Sequence, residues 1–123
     1  MRKKSSTNFE NEQFLEYDCP FITTLRFIGK RWKPAVLWKI NEGIVRFNRL
    51  KEVLPNISDK MLANTISELE SDGIIKKEIF DEVPLRVEYK LTDFGAGVLP
   101  ILKEMNRWGE KTKSEIRKSG SIA

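Results

Sequence analysis

The stretch from Phe47 to Gly73 constrains this chain most. Two apolar periodicities of helical spacing meet there across a break of only a few residues. Phe47, Leu50, Val53 and Leu54 line one side of a short helix, and Pro55-Asn56 interrupts it. Ile57 then precedes Ser58, a good N-cap for a second helix that runs to about Ser71, where Asp72-Gly73 forms a C-terminal stop. Two helices separated by so short a turn are the outline of a helix-turn-helix.

What flanks this unit narrows the fold further. Ile74–Phe80 and Val87–Leu91 are rich in β-formers and are joined by Asp81-Glu82-Val83-Pro84-Leu85, which predicts a hairpin. Thr92-Asp93 then caps a long C-terminal helix over about 93–118. Its stripe is Val98, Leu99, Ile101, Leu102, Met105, Trp108 and Ile116. Pro100 falls inside it and predicts a kink, or a start one turn later. Upstream, Phe21, Thr24, Leu25 and Ile28 predict a helix over Pro20–Gly29. Trp32, Ala35, Val36, Lys39 and Ile40 predict another from about Arg31 to Asn41, with Pro34 tolerated in its first turn.

The expected fold class is therefore mainly α with a small β-hairpin (α+β). It is a winged helix-turn-helix with flanking N- and C-terminal helices that serve dimerisation. Residues 1–12 read as a flexible tail, 13–118 as the domain and 119–123 as a second tail. Within the domain, the helix-turn-helix spans about 46–72 and the wing about 74–91.

Composition removes most catalytic readings. The chain of 123 residues contains 0 histidines and 1 cysteine. A protein-built zinc site, a histidine-based triad and an internal disulfide are all out of reach. No cofactor is expected, and a binding protein is the starting point. No apolar run of 18 residues exists and the N-terminus lacks an apolar core, so neither a membrane span nor a secretion signal is expected, and the default location is the cytoplasm.

Charge is distributed unevenly. The net balance is only +4, yet seven basic residues and one acid lie between Arg26 and Arg49, whereas Met61–Leu91 carries four basic and seven acidic residues. A basic first half suits a one-sided footprint for phosphates; the competing reading is a set of solvated helix faces.

The second helix of the motif supplies a reading surface. At helical spacing Met61, Leu62, Ile66 and Leu69 cluster on one side and Lys60, Ala63, Asn64, Ser67 and Ser71 on the other. A short, polar, nearly neutral face suits a major groove, where Lys reads guanine edges or phosphate and Asn reads adenine. Lys60 and Asn64 are the candidates for base edges, Ser67 for a base edge or phosphate, and Ser58 and Asp59 for the neighbourhood of phosphates. Arg46, Asn48 and Arg49 open the first helix of the motif, where they can meet the backbone. On the hairpin, Lys76, Lys77, Arg86 and Lys90 are candidates for an adjacent groove, with Arg86 foremost. Lys77 and Lys90 have a competing role as cross-strand partners of Glu78 or Glu88. Asp81 and Glu82 oppose deep insertion of the tip.

Several motifs in order make the chain recognisable. They are Cys19-Pro20, Ile28-Gly29-Lys30-Arg31-Trp32, Arg46-Phe47-Asn48-Arg49-Leu50 and Ile57-Ser58-Asp59-Lys60-Met61-Leu62. Leu69-Glu70-Ser71-Asp72-Gly73-Ile74-Ile75, the run Val83-Pro84-Leu85-Arg86-Val87-Glu88-Tyr89-Lys90-Leu91-Thr92 and Trp108-Gly109 follow. Over about residues 17–110 this resembles the HxlR-type branch of the MarR-like winged-helix regulators. The resemblance implies a homodimeric bacterial transcription factor that binds double-stranded DNA, on a palindromic operator if two-fold symmetry sets two reading helices about 34 Å apart. Aromatic residues near both ends (Phe14, Tyr17, Phe21; Trp108) fit burial against a partner subunit.

Cys19 stands just before the first helix, whose N-terminus favours a thiolate, with Asp18 opposing that effect. Some members of the family sense oxidants or electrophiles with a cysteine at the corresponding position, so the resemblance implies the same role here. Two readings of Cys19 stand open, a redox sensor and a small buried hydrophobe at a dimer interface. Two further functional readings also stand: a regulator that answers a small molecule without thiol chemistry, and a winged helix used for protein docking.

Overall fold

The structure is a computed structural model and describes residues 19–120. The expectations on the tail 1–12, on Phe14, Tyr17 and Asp18, and on the last three residues lie outside the described residues. Six helices and one hairpin follow in order among those described. They are α1 (Pro20–Ile28), α2 (Lys33–Asn41), α3 (Phe47–Val53), α4 (Asp59–Ser71), β1 (Ile75–Phe80), β2 (Arg86–Leu91), α5 (Asp93–Ala96) and α6 (Leu99–Ser119). This is the winged helix-turn-helix of the sequence reading, mainly helical with a two-stranded antiparallel wing.

The local signals act as their chemistry dictates. The Ser58 hydroxyl accepts from the Met61 backbone N–H at 3.0 Å and starts α4. Gly73 ends it with φ +77°, a left-handed turn that a side chain would strain. The same turn lets the Ile74 N–H return to the Leu69 carbonyl at 3.0 Å. Val36, Leu37, Leu50, Leu62, Leu69 and Ile74 are fully buried, so α2, α3, α4 and the root of the wing share one core.

The wing is fastened twice. Strand pairing runs from Ile75 opposite Leu91 to Phe80 opposite Arg86. On its other edge β2 bonds to the chain that leads into α3, through the Tyr89 N–H and the Val45 carbonyl at 2.9 Å. Tyr89 turns inward and is buried. Thr92 closes the base. Its hydroxyl donates to the Gly73 carbonyl and accepts from the Gly95 N–H at 2.9 Å. A Cβ on Gly95 would fall 2.1 Å from the Ile74 carbonyl oxygen, so the close approach of α5 to the wing root requires glycine there.

Three sequence expectations need correction. The second helix begins at Lys33, not Arg31, because Lys30 adopts a left-handed φ of +70° and the chain bends there. The C-terminal helix is two helices. Thr92 caps only the four-residue α5, and the long α6 starts one turn later with Pro100 in its first turn. The first helix forms as expected; in it only Ile28 is buried, and Phe21, expected against a partner subunit, and Leu25 point outward at 80% and 55% exposure. In α4, Met61 lies outside the core at 45% exposure, and Thr65 takes an inward position.

Candidate nucleic-acid interface

The exposed side of α4 is the centre of the site. Lys60, Ala63, Asn64, Ser67 and Ser71 are all exposed, and Lys60, Asn64 and Ser67 have no hydrogen bond or ion pair among the described residues. They are donors and acceptors without an internal use. Opposite them Leu62, Ile66 and Leu69 fix the helix to the core, so the ridge is rigidly aimed.

The turn between α3 and α4 is held by a lysine that the sequence reading passed over. Lys51 donates to the Ile57 carbonyl at 2.6 Å and pairs with Asp59 at 3.1 Å. One ammonium thus bridges α3, the turn and the first residue of α4. Asp59, expected near phosphates, is already engaged in this strap, and Ser58 is engaged in its cap.

Arg46 is the N-cap residue of α3, with Asn48 and Arg49 in the first turn, all three exposed. They share a cleft with Leu85 and Val87, so the structure brings the α3 cluster and the turn end of the wing together. Arg49 has only a loose contact with Glu52, at 3.7 Å between two exposed groups. Such a pair is easily given up for a phosphate.

The wing cations divide. Arg86 is held by Glu82 at 3.1 Å and 3.2 Å and by Glu88, and its guanidinium lies 3.8 Å from the Phe80 ring centre. The hydrogen bond from Arg86 keeps the Glu82 carboxyl below the usual carboxylate range. Lys90 pairs with Glu78 at 2.6 Å, which is the cross-strand role that competed with DNA contact. The register explains the need: Lys76 faces Lys90 and Glu78 faces Glu88, so like charges meet unless diagonal partners intervene. Lys77 is on the other face, exposed and without a partner among the described residues. Lys76 is likewise exposed without an ion pair, so of the wing cations Arg86 and Lys90 are engaged within the hairpin and Lys76 and Lys77 are not, among the described residues.

The basic stretch from Arg26 to Arg49 is not one footprint. Lys39 pairs with Glu42, and Lys30 pairs with Glu68 at 2.8 Å. Lys33 is 4% exposed, and its ammonium lies 3.3 Å from the Arg26 carbonyl, Glu68 and Asp72. The Lys30 hydrogen bond holds the Glu68 carboxyl below its ordinary value, with Lys33 adding to it. These two lysines tie the end of α1 to α4. Nothing in the spacing distinguishes the buried Lys33 from its exposed neighbours.

Cys19 is the N-cap residue of α1, a free thiol of intermediate exposure whose side chain makes no capping bond. No helix among the described residues is long and apolar enough to cross a membrane.

Comparison with known proteins accords with this architecture. The family described as HxlR-like helix-turn-helix matches residues 27–117. The HTH-type transcriptional regulator YdeP of Bacillus subtilis is 41% identical over 114 residues, which cover 93% of this chain and 84% of that protein. Among solved structures, the redox regulator HypR in its oxidized form superposes with a TM-score of 0.73 at 41% identity, covering 76% of this chain and 96% of that chain. Diamide-treated YodB from B. subtilis superposes with a TM-score of 0.64 at 32% identity, covering 77% and 95%. The chain belongs to the HxlR-like helix-turn-helix family of transcriptional regulators.

Proposed function

We propose that the protein acts in the cytoplasm as a homodimer that binds a palindromic operator, with one α4 in each of two successive major grooves. The carrying observation is the α4 ridge, where Lys60, Asn64 and Ser67 are exposed, unpaired and rigidly mounted. Asn64 reads a base edge in this arrangement. Arg46, Asn48 and Arg49 grip the phosphates beside it, and Lys77 reaches toward the adjacent groove from the wing. Replacing Asn64 with alanine is expected to weaken binding to the preferred duplex by about 10- to 100-fold and leave nonspecific binding almost unchanged. Arg49→Ala is expected to weaken both and to flatten the dependence of affinity on salt. Fluorescence anisotropy at several salt concentrations measures each, and wild-type affinity in both variants would overturn the reading.

Cys19 supports a second element, a thiol switch. It is a free, partly exposed thiol at the start of α1. Of the two superposed structures, one is a redox regulator in its oxidized form and the other a diamide-treated protein. With one cysteine per chain, diamide can join the thiols of two copies, or one thiol to a small thiol such as glutathione. Two thiols then become a disulfide, and diamide takes up two electrons and two protons to give the hydrazine. Oxidation is expected to release the operator from the parent and not from Cys19→Ser. Equal release from both proteins removes Cys19 from the mechanism and leaves a small-molecule effector as the remaining signal.

A further inference from the structure

The flank of α4 that faces away from α3 carries a feature with no part in the fold. At about 100° per residue, Met61 and Glu68 lie on one flank of α4, within roughly 60° of Asn64, and Asp59 lies on the other. Asp59 meets Lys51, so α3 and its arginines approach from that second flank. The first flank meets the loop that leads into α2. Lys30, Arg31, Trp32, Met61, Thr65 and Glu68 line a shallow pocket there.

Within this pocket the charges are not equivalent. Lys30 is consumed by Glu68 at 2.8 Å. Arg31 is exposed and has no carboxylate partner among the described residues, and its guanidinium lies 5.8 Å from the ring of the adjacent Trp32. Met61 is 45% exposed although it occupies the first turn of a helix whose other large apolar side chains are buried. An unpaired cation and an uncovered thioether thus stand side by side next to the polar ridge.

A major groove about 12 Å wide is bounded by two phosphate strands, and an α-helix with its side chains, about 10–12 Å across, fills it. A helix so placed needs a cation on each flank to be held to both strands. From this juxtaposition we infer that Arg31 grips the phosphate strand opposite the one held by Arg46 and Arg49, and that Met61 packs on a thymine methyl next to the base read by Asn64. The inference rests on the proposed DNA-binding function and extends it. It adds a second backbone anchor from the start of α2 and an apolar specificity contact on α4.

The test uses the full chain and a duplex selected by the parent protein from a random-sequence library. Arg31→Ala is expected to weaken binding to the selected duplex and to random duplex by a similar factor, about 10-fold. It should also lower the log–log salt slope by about 1 for each phosphate that is no longer neutralised. A scan that replaces each thymine with deoxyuridine removes one methyl at a time. The parent is expected to lose several-fold affinity at one position per half-site, and Met61→Ala to bind thymine and deoxyuridine there alike. Asn64→Ala and Arg49→Ala are measured in parallel. If they lose affinity while Arg31→Ala keeps the parental slope and Met61→Ala keeps the parental methyl preference, this inference is wrong and the proposed function stands. If none of the four variants differs from the parent, the proposed function itself fails. Both side chains are exposed, so unchanged circular dichroism is expected throughout.

Discussion

Exchanging Met105 and Trp108 together for glutamate is expected to turn the proposed dimer into a folded monomer that no longer holds the operator at concentrations where the parent does. Ile101, Met105 and Trp108 follow one another at i, i+4 and i+7 along α6, and their exposures are 44%, 45% and 69%. A shallow pocket lined by Pro100, Ile101, Glu104, Met105 and Trp108 runs along this face. Phe21 and Leu25 of α1 repeat the pattern at i, i+4. Large apolar side chains gathered on one surface mark an interaction site. Covering such a side chain contributes about 1.5–3 kcal/mol. Two glutamates per subunit would instead place four carboxylates in a dry interface, a cost the remaining apolar burial cannot offset. Light scattering is expected to report half the parental mass. Operator affinity should fall by about 10²- to 10⁴-fold, because each half-site then binds on its own. A variant that keeps the dimer mass would show that the subunits meet elsewhere.

The second large effect concerns stability. Lys33→Ala is expected to lower the melting temperature by roughly 10 °C, corresponding to a loss of about 2–3 kcal/mol. Lys33 is almost completely buried and offers one ammonium to the last turn of α1, to Glu68 of α4 and to Asp72 at its C-terminal cap. Removing it leaves a carbonyl and a carboxylate without their donor and withdraws a four-carbon stem from packed surroundings. Glu68 keeps Lys30 and is itself half-exposed, which holds the cost at the lower end for a broken buried pair. Lys33→Met retains the stem and is expected to lose clearly less. Differential scanning calorimetry separates the two variants. A change of under about 2 °C in the alanine variant would show that the buried ammonium contributes little.

Elements whose signals are local were legible in the sequence. Ser58 and Thr92 both cap helices with their hydroxyls, Gly73 turns left-handed, and Pro34 sits in a first turn. Each outcome depends on backbone chemistry within a few residues. What escaped depends on partners distant in the chain. Lys33 reads as one more surface lysine until its three acceptors arrive from α1 and α4. Met61 fits the apolar period of α4, but the core has room for Thr65 instead, whose hydroxyl returns to the Met61 carbonyl at 2.8 Å. The sequence reading places Phe21 against a partner subunit; within the chain, Phe21 and Leu25 are exposed, and a proposed subunit interface would impose the same helical period as a core. For the proposed DNA-contacting residues, residue type and position predict exposed polar groups on α4 and at the start of α3, and Lys60, Asn64, Ser67, Arg46, Asn48 and Arg49 are exposed. The pairing of Arg86 with Glu82 and Glu88 is local, since i and i+2 on one strand share a face and Glu82 lies in the adjoining turn, and the sequence reading passes over it.

The Lys51 strap has a consequence for how such a molecule can be controlled. By joining α3, the turn and α4 through one ammonium, it holds the proposed backbone grip at a set distance from the proposed base contact. A signal therefore has nothing to bend inside a reading head. In the proposed dimer it would act on the separation and tilt of the two heads, as a caliper is adjusted at its joint and not along its arms.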